Sequence, residues 1–173
     1  MCGRYTVTRP SDLLTELGVE TTEPLEASYN VAPTQKVPVV RATTGVVPEA
    51  GETKREAVNL RWGLIPFWAK DIKIGNRMIN ARSETVATKP AFRNSLRRKR
   101  CAILADGFYE WKKVEGGKQP YLIHLKDNRP FVFAGLWDCW SKGPIDPIES
   151  FTILTTSPND KVKELHNRMP VIL

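Results

Sequence analysis

The residue best placed to do chemistry is a cysteine at position 2, directly behind the initiator methionine. Initiator methionine is ordinarily removed when the second side chain is small, and removal here would leave an α-amine and a thiol on one residue, a 1,2-aminothiol. Such an amine titrates at about 7.7–8.0 and a thiol at about 8.5, so both have accessible nucleophilic forms at neutral pH. An aldehyde would condense with the amine to a Schiff base, and the neighbouring thiolate would then close a five-membered thiazolidine ring. Three further segments carry groups that could assist. RMINARSET sets Asn80, Arg82 and Glu84 at alternate positions, as a strand presents side chains to one face. ILADGFYEWKK puts Glu110 between Tyr109 and Trp111, where partial burial would raise a carboxyl toward the range useful in acid–base work. ELHNRMP places His166 and Arg168 just before Pro170. Each has a plainer account when taken alone: a chance cysteine after the start, a turn-forming asparagine, a solvent-facing glutamate, a satisfied histidine.

The rest of the composition narrows the class. Cysteines at 2, 101 and 139 form no CxxC pair, and His124 and His166 are the only imidazoles, so neither a zinc site nor a disulfide scaffold is expected. No metal and no cofactor is expected. Twenty-six Lys and Arg against 19 Asp and Glu give a net charge of +7, the balance of a protein that meets phosphate. The run AFRNSLRRKR, with Arg93, Arg97, Arg98, Lys99 and Arg100, concentrates that charge, although it also reads as the polar side of a helix. No apolar run is long enough to span a bilayer and the N-terminus has no signal-peptide core, so the expected address is cytoplasmic, nucleoid-associated in a bacterium or nuclear in a eukaryote. A monomer without a membrane partner is expected.

The elements that must position these groups read as one domain over residues 1–173. RYTVT suggests a strand, and SDLLTELGV a short helix with Ser11 as cap and Gly18 as stop. YNVAPTQKVPVVRAT reads as a loop running into a strand, 45–56 as an exposed hairpin connection, and VNLRWGLIPFW as a strand running into a loop. AKDIKIGNRMINARSET has no clear period. PAFRNSLRRKR reads as a helix with Pro90 near its start. RCAILA, GFYEWKKV, PYLIHLKD, PFVFAGLWDCW and SFTILTTS are five strand-like runs between turn signals. SPNDKVKELHNRMP reads as a helix led by Ser157 or Asn159 and ended by Pro170, and VIL begins a strand that has no continuation, as in a chain cut short at its C-terminus. The expected class is α+β: mostly antiparallel sheets or a barrel, with a few short flanking helices.

MCGRYT, YNVAP, INARSET, CAILADGFYEWKK and LHNRMPVIL, in that order, resemble the SOS-response-associated peptidase (SRAP) family, and the resemblance runs from residue 2 to residue 173. It implies an SRAP-like β-rich fold and a sensor of abasic sites in single-stranded DNA, which crosslinks itself to the lesion through a stable thiazolidine and so shields it. On that resemblance Cys2 supplies both nucleophiles. Asn80 holds the amine or the sugar in register, Glu110 is the acid–base carboxylate, and His166 moves protons at the sugar. Arg4, Arg82 and Arg168 match basic positions for phosphate, and Phe67 and Trp68 match an aromatic wedge that stacks on a base. Two other functions fit parts of the pattern: a cysteine peptidase with Cys2 as nucleophile, which the family's name records, and a non-covalent reader of modified cytosine.

Overall fold

The computed structural model describes residues 2–21, 24–43, 54–142 and 146–173. The strands begin with β1 (Tyr5–Val7), β2 (Ser28–Val31), β3 (Lys36–Ala42), β4 (Arg55–Trp62) and β5 (Asn80–Arg82), of which β3 carries a continuous apolar run and β2 and β5 are short polar segments. They are followed by β6 (Arg100–Ala105), β7 (Gly107–Val114), β8 (Gly117–Ile123), β9 (Phe131–Trp140), β10 (Ile148–Thr156) and β11 (Met169–Pro170). The helices are short: α1 (Pro10–Glu16), α2 (Arg93–Arg98) and α3 (Asp160–Lys163). The five runs from RCAILA to SFTILTTS are all strands, as expected, and the expected mostly antiparallel barrel with short helices is what forms. Among the described residues no helix is long and apolar enough to cross a membrane.

Two sheets make up the molecule. In the larger, β4, β3, β6, β9 and β10 are hydrogen-bonded in turn, and β10 returns to β4, so that five strands close into a barrel. Four of the seams are antiparallel. The closing seam is parallel, with Ser150 opposite Arg61 and Phe151 opposite Trp62. β5 and β11 add to β10 at the same end. The smaller sheet has the order β2-β1-β7-β8 and is antiparallel throughout.

An aromatic cluster joins the two. Tyr5 of β1 makes edge-on contacts with Trp62 and Phe133 of the barrel, at 5.2 and 5.7 Å between ring centroids, and Phe108 of β7 meets Phe133 at 6.0 Å. These rings are fully buried. Each such side chain contributes about 1.5–3 kcal/mol relative to exposure, so the docking of the small sheet is apolar in origin. Asp106, at the corner between β6 and β7, accepts from the hydroxyls of Thr6 and Thr8 and thereby clamps β1 to that corner.

Several local expectations are corrected. Ser11 is not the cap of α1: Arg9 occupies that position and Pro10 opens the helix, where its missing N–H costs nothing. Gly18 does stop it, with φ of 62°, while Gly18 N–H donates to Thr15 O and Val19 N–H to Leu14 O. Pro90 lies in a turn ahead of α2, which begins only at Arg93 and ends before Arg100 enters β6. α3 is capped by Asn159, whose side chain accepts from Val162 N–H, and ends at Lys163; Pro170 belongs to β11 instead of terminating the helix. The strand expected at VIL starts earlier, although Ile172 still bridges to Phe133. Of the hairpin connection at 45–56, residues 45–53 lie outside the described residues; 55 and 56 are already in β4, paired with Ala42 and Arg41.

One close approach fixes the segment that leads to β5. Gly63, at φ 118°, faces Gly75 of the two-turn 3-10 helix Ile72–Arg77, and a Cβ on either residue would lie 2.6 Å from the other's carbonyl oxygen. Leu64 N–H donates to Met78 O, and the Trp62 indole N–H donates to Ile79 O, so this contact places the residue directly before Asn80. A Gly63→Ala variant is expected to lose about 3 kcal/mol, from left-handed strain and the backbone clash together. Urea unfolding would read this as a lower midpoint at unchanged slope; a midpoint equal to that of the parent protein would contradict the close approach.

Candidate active site

Cys2 enters just ahead of β1 and is fully buried. Its Sγ lies 3.8 Å from Arg4 O, and its carbonyl accepts a 2.8 Å hydrogen bond from Asn80 Nδ2. Asn80 is held on β5 by parallel pairing with Ile153 of β10, and Ile153 N–H donates to Ile79 O. The Asn80 Oδ1 atom is buried and, among the described residues, has no hydrogen-bond partner. β1 pairs with β7 through Tyr5 opposite Phe108, and Tyr109 N–H donates to Arg4 O, so residues ahead of Tyr5 run beside Glu110 and Trp111. Glu110 is only 2% exposed. Alternation along β7 turns it inward, the opposite of the plain solvent-facing account.

The electrostatics differ from what the sequence suggests. Burial pushes the Cys2 thiol well above its ordinary range, and the nearby Glu110 charge raises it further. With Met1 in place, burial thus favours the neutral thiol over the thiolate. Cys101, on β6, is also raised by burial, and the partly buried Cys139 rises for the same first reason.

His166 lies in the turn after α3. Its Nδ1 accepts from Arg168 N–H at 3.0 Å, which puts the proton of a neutral ring on Nε2. Arg168 in turn grips Glu84 with both terminal nitrogens, at 2.7 and 2.9 Å, and donates to Thr155 O at 2.6 Å. Arg82 projects into solvent from β5, opposite Thr155, and the Arg4 guanidinium donates to Asn30 Oδ1. The alternation expected for Asn80, Arg82 and Glu84 stops at Arg82, since β5 ends there and Glu84 sits in a turn. Cys2, Asn80 and Glu110 are thus brought together by β1, β5 and β7, while His166, Arg168, Glu84 and Arg82 gather around the end of β10.

Phe67 and Trp68 are 49% and 39% exposed, which excludes a core-packing role. Their loop is nonetheless rigidly tied. Ile65 N–H donates to Ser150 Oγ, Phe67 N–H to Asp138 Oδ2 and the Trp140 indole to Ala69 O, each at 2.8 Å. Asp138 is itself paired with Lys99 at 2.6 Å. The two rings overlook an open cleft of about 560 Å³ that is lined also by Pro90, Arg93 and Asn94. Asp138 was not among the residues singled out from the sequence; the signal for it is a lone carboxylate inside the apolar run FVFAGLWDCW.

The fold and site define a class: a small β-barrel protein whose second residue is a cysteine, buried beside a carboxylate and tied by an asparagine. Residues 1–173 match the family described as SOS response associated peptidase (SRAP), and the chain belongs to it. It is 46% identical over 178 residues to the abasic site processing protein YoaM of Bacillus subtilis, covering all of this chain and 75% of that one. It is 36% identical over 170 residues to the abasic site processing protein HMCES of Gallus gallus, covering 84% of this chain and 50% of that one. A crystal structure of a protein from Bacteroides thetaiotaomicron superposes with a TM-score of 0.87 at 28% identity, covering 99% of this chain and 77% of that one. One from Bordetella bronchiseptica superposes with a TM-score of 0.79, also at 28% identity, covering 99% and 83%.

The burial difference among the three thiols is directly testable. In the folded protein with Met1 in place, iodoacetamide at pH 8 is expected to label Cys139 first and to leave Cys2 and Cys101 unmodified until denaturant is added, as read by peptide mass. Fast labelling of Cys2 in the native state would contradict the raised, protonated thiol.

Proposed function

We propose that this chain recognises abasic sites in single-stranded DNA and captures them covalently through Cys2 once Met1 has been removed. The observation that carries the reading is the placement of a buried thiol and a buried carboxylate around a residue whose backbone is held by Asn80. The α-amine of Cys2, oriented by the open acceptor of Asn80 Oδ1, adds to C1′ of the ring-opened deoxyribose. As nitrogen adds, Glu110 takes up the proton the amine gives up and returns it to the departing hydroxyl, with His166 at the sugar, so that the carbinolamine loses water. The thiol then adds to the imine carbon and its proton passes to nitrogen, closing the thiazolidine. One aldehyde and one aminothiol give one thiazolidine and one water.

A protonated thiol suits this order of events. The amine acts first, and sulfur is needed only after the electrophilic imine is in place beside it. Arg4, Arg82 and Arg168 would take backbone phosphates. Phe67 and Trp68, held out by their pinned loop, would stack on a base beside the lesion, each stack worth about 1–3 kcal/mol. Contacts of these kinds read backbone and stacking, so little sequence preference and a strong salt dependence follow. The chain acts as a monomer, in the cytoplasm and on the nucleoid of a bacterium or in a eukaryotic nucleus.

The test is a denaturing gel of Met1-processed protein with a single-stranded oligonucleotide carrying one abasic site. The parent protein is expected to give a heat-stable adduct and Cys2→Ala none. Cys2→Ser retains the amine and should give only a species that borohydride must trap. Glu110→Gln is expected to slow adduct formation by roughly 10²–10⁴-fold. A heat-stable adduct with Cys2→Ala would overturn the proposal.

A further inference from the structure

The Arg168 side chain is held by two partners of different character. One is Thr155, fully buried in β10, whose carbonyl accepts from Nη2 at 2.6 Å and whose hydroxyl lies at 3.4 Å. The other is Glu84, which takes both terminal nitrogens at 2.7 and 2.9 Å from a turn at the surface. The Arg168 side chain is 13% exposed and that of Glu84 is 48% exposed. Arg168 Nε is buried, so the edge made by Nη1 and Nη2 is the one the guanidinium offers outward. A carboxylate occupies that edge with two parallel hydrogen bonds, the geometry with which a guanidinium also receives two phosphate oxygens.

From this arrangement we infer that Glu84 is a built-in stand-in for a DNA phosphate, occupying the Arg168 fork in the free protein and giving it up when the backbone of single-stranded DNA binds. The inference rests on the single-strand binding proposed above. Thr155 keeps the guanidinium aimed after Glu84 leaves, so displacement exchanges one anion for another without reorganising the arginine. Glu84 also sets a threshold. A ligand must outcompete a paired carboxylate, which a chain of phosphates anchored at Arg4 and Arg82 can do and a stray single anion cannot. Arg168 holds the Glu84 carboxyl down at about 2, so the stand-in stays ionised through the working pH range. The device answers to polyanions and not to protons.

The experiment is anisotropy of a labelled dT oligonucleotide with the full chain at several salt concentrations, comparing Glu84→Gln, Arg168→Gln and the double variant. Glu16→Gln, an exposed charge on α1, serves as the control for net charge. Glu84→Gln is expected to tighten binding about fivefold, the scale of releasing one well-formed exposed ion pair, and more than Glu16→Gln does. The gain should shrink in the Arg168→Gln background, where there is no fork to free. Three outcomes would overturn the inference: weaker binding by Glu84→Gln, which makes Glu84 a permanent prop for Arg168; equal gains from Glu84→Gln and Glu16→Gln; or an undiminished gain without Arg168. Thermal melts of each variant identify any that fails to fold, and Glu84→Gln against Glu16→Gln decides the question if Arg168→Gln does. Parent protein that binds no oligonucleotide would instead overturn the single-strand reading itself.

Discussion

The hydrogen bond from Asn80 Nδ2 to the Cys2 carbonyl is the tie on which the site depends. Asn80 belongs to β5 and so to the barrel, through β10; Cys2 leads into β1 and so belongs to the smaller sheet. The bond spans the two sheets at the point where the aromatic cluster has already docked them. Its own net contribution to stability is about 1 kcal/mol. Its effect on geometry is larger, because it fixes Cys2 against a carboxylate from a third segment, β7. The close approach of Gly63 and Gly75 serves the same end, since it sets where the chain emerges before Asn80.

Burial decides how such a site can work. A thiol taken out of water stays protonated, and the adjacent carboxylate reinforces that. On the proposed mechanism the sulfur acts only after an electrophile has formed next to it. Around this buried centre the groups proposed to meet DNA are built on the opposite principle, exposed at the tips and fixed at the base. Phe67 and Trp68 stand in solvent on a loop bound by Ser150 and Asp138, and Arg168 presents one edge outward while Thr155 holds it from within. Fixing exposed groups in advance lowers the ordering cost of binding.

Much of this was legible from residue order. The five strand runs after Arg100 each end at Gly, Pro, Asn or Asp signals, and local alternation is what sets a half-buried strand. Position alone left Cys2 with a plain account as a chance cysteine, and only its order with INARSET, CAILADGFYEWKK and LHNRMPVIL set it apart. What escaped depends on contacts distant in sequence. The parallel seam between β4 and β10 joins residues about ninety positions apart, and no local pattern announces it. The burial of Glu110 follows from the docking of two sheets, so a strand carrying GFYEWKKV reads equally well with its carboxylate in solvent. Glu84 was visible as a residue, yet its partner Arg168 lies in another segment, and only their pairing reveals the occupied fork. Ser11 fitted a capping rule, but Pro10 pre-set the first turn one residue earlier.

The central claim is that both nucleophiles of Cys2 end on one carbon of the lesion. The most direct measurement is the intact mass and fragmentation of the N-terminal peptide recovered from the DNA adduct, after nuclease digestion and treatment with borohydride. The account predicts a peptide that begins at Cys2, heavier by the sugar fragment less one water and unchanged by borohydride, as a closed thiazolidine requires. A sugar attached to any other residue, a peptide still carrying Met1, or a gain of two hydrogens on reduction would contradict it.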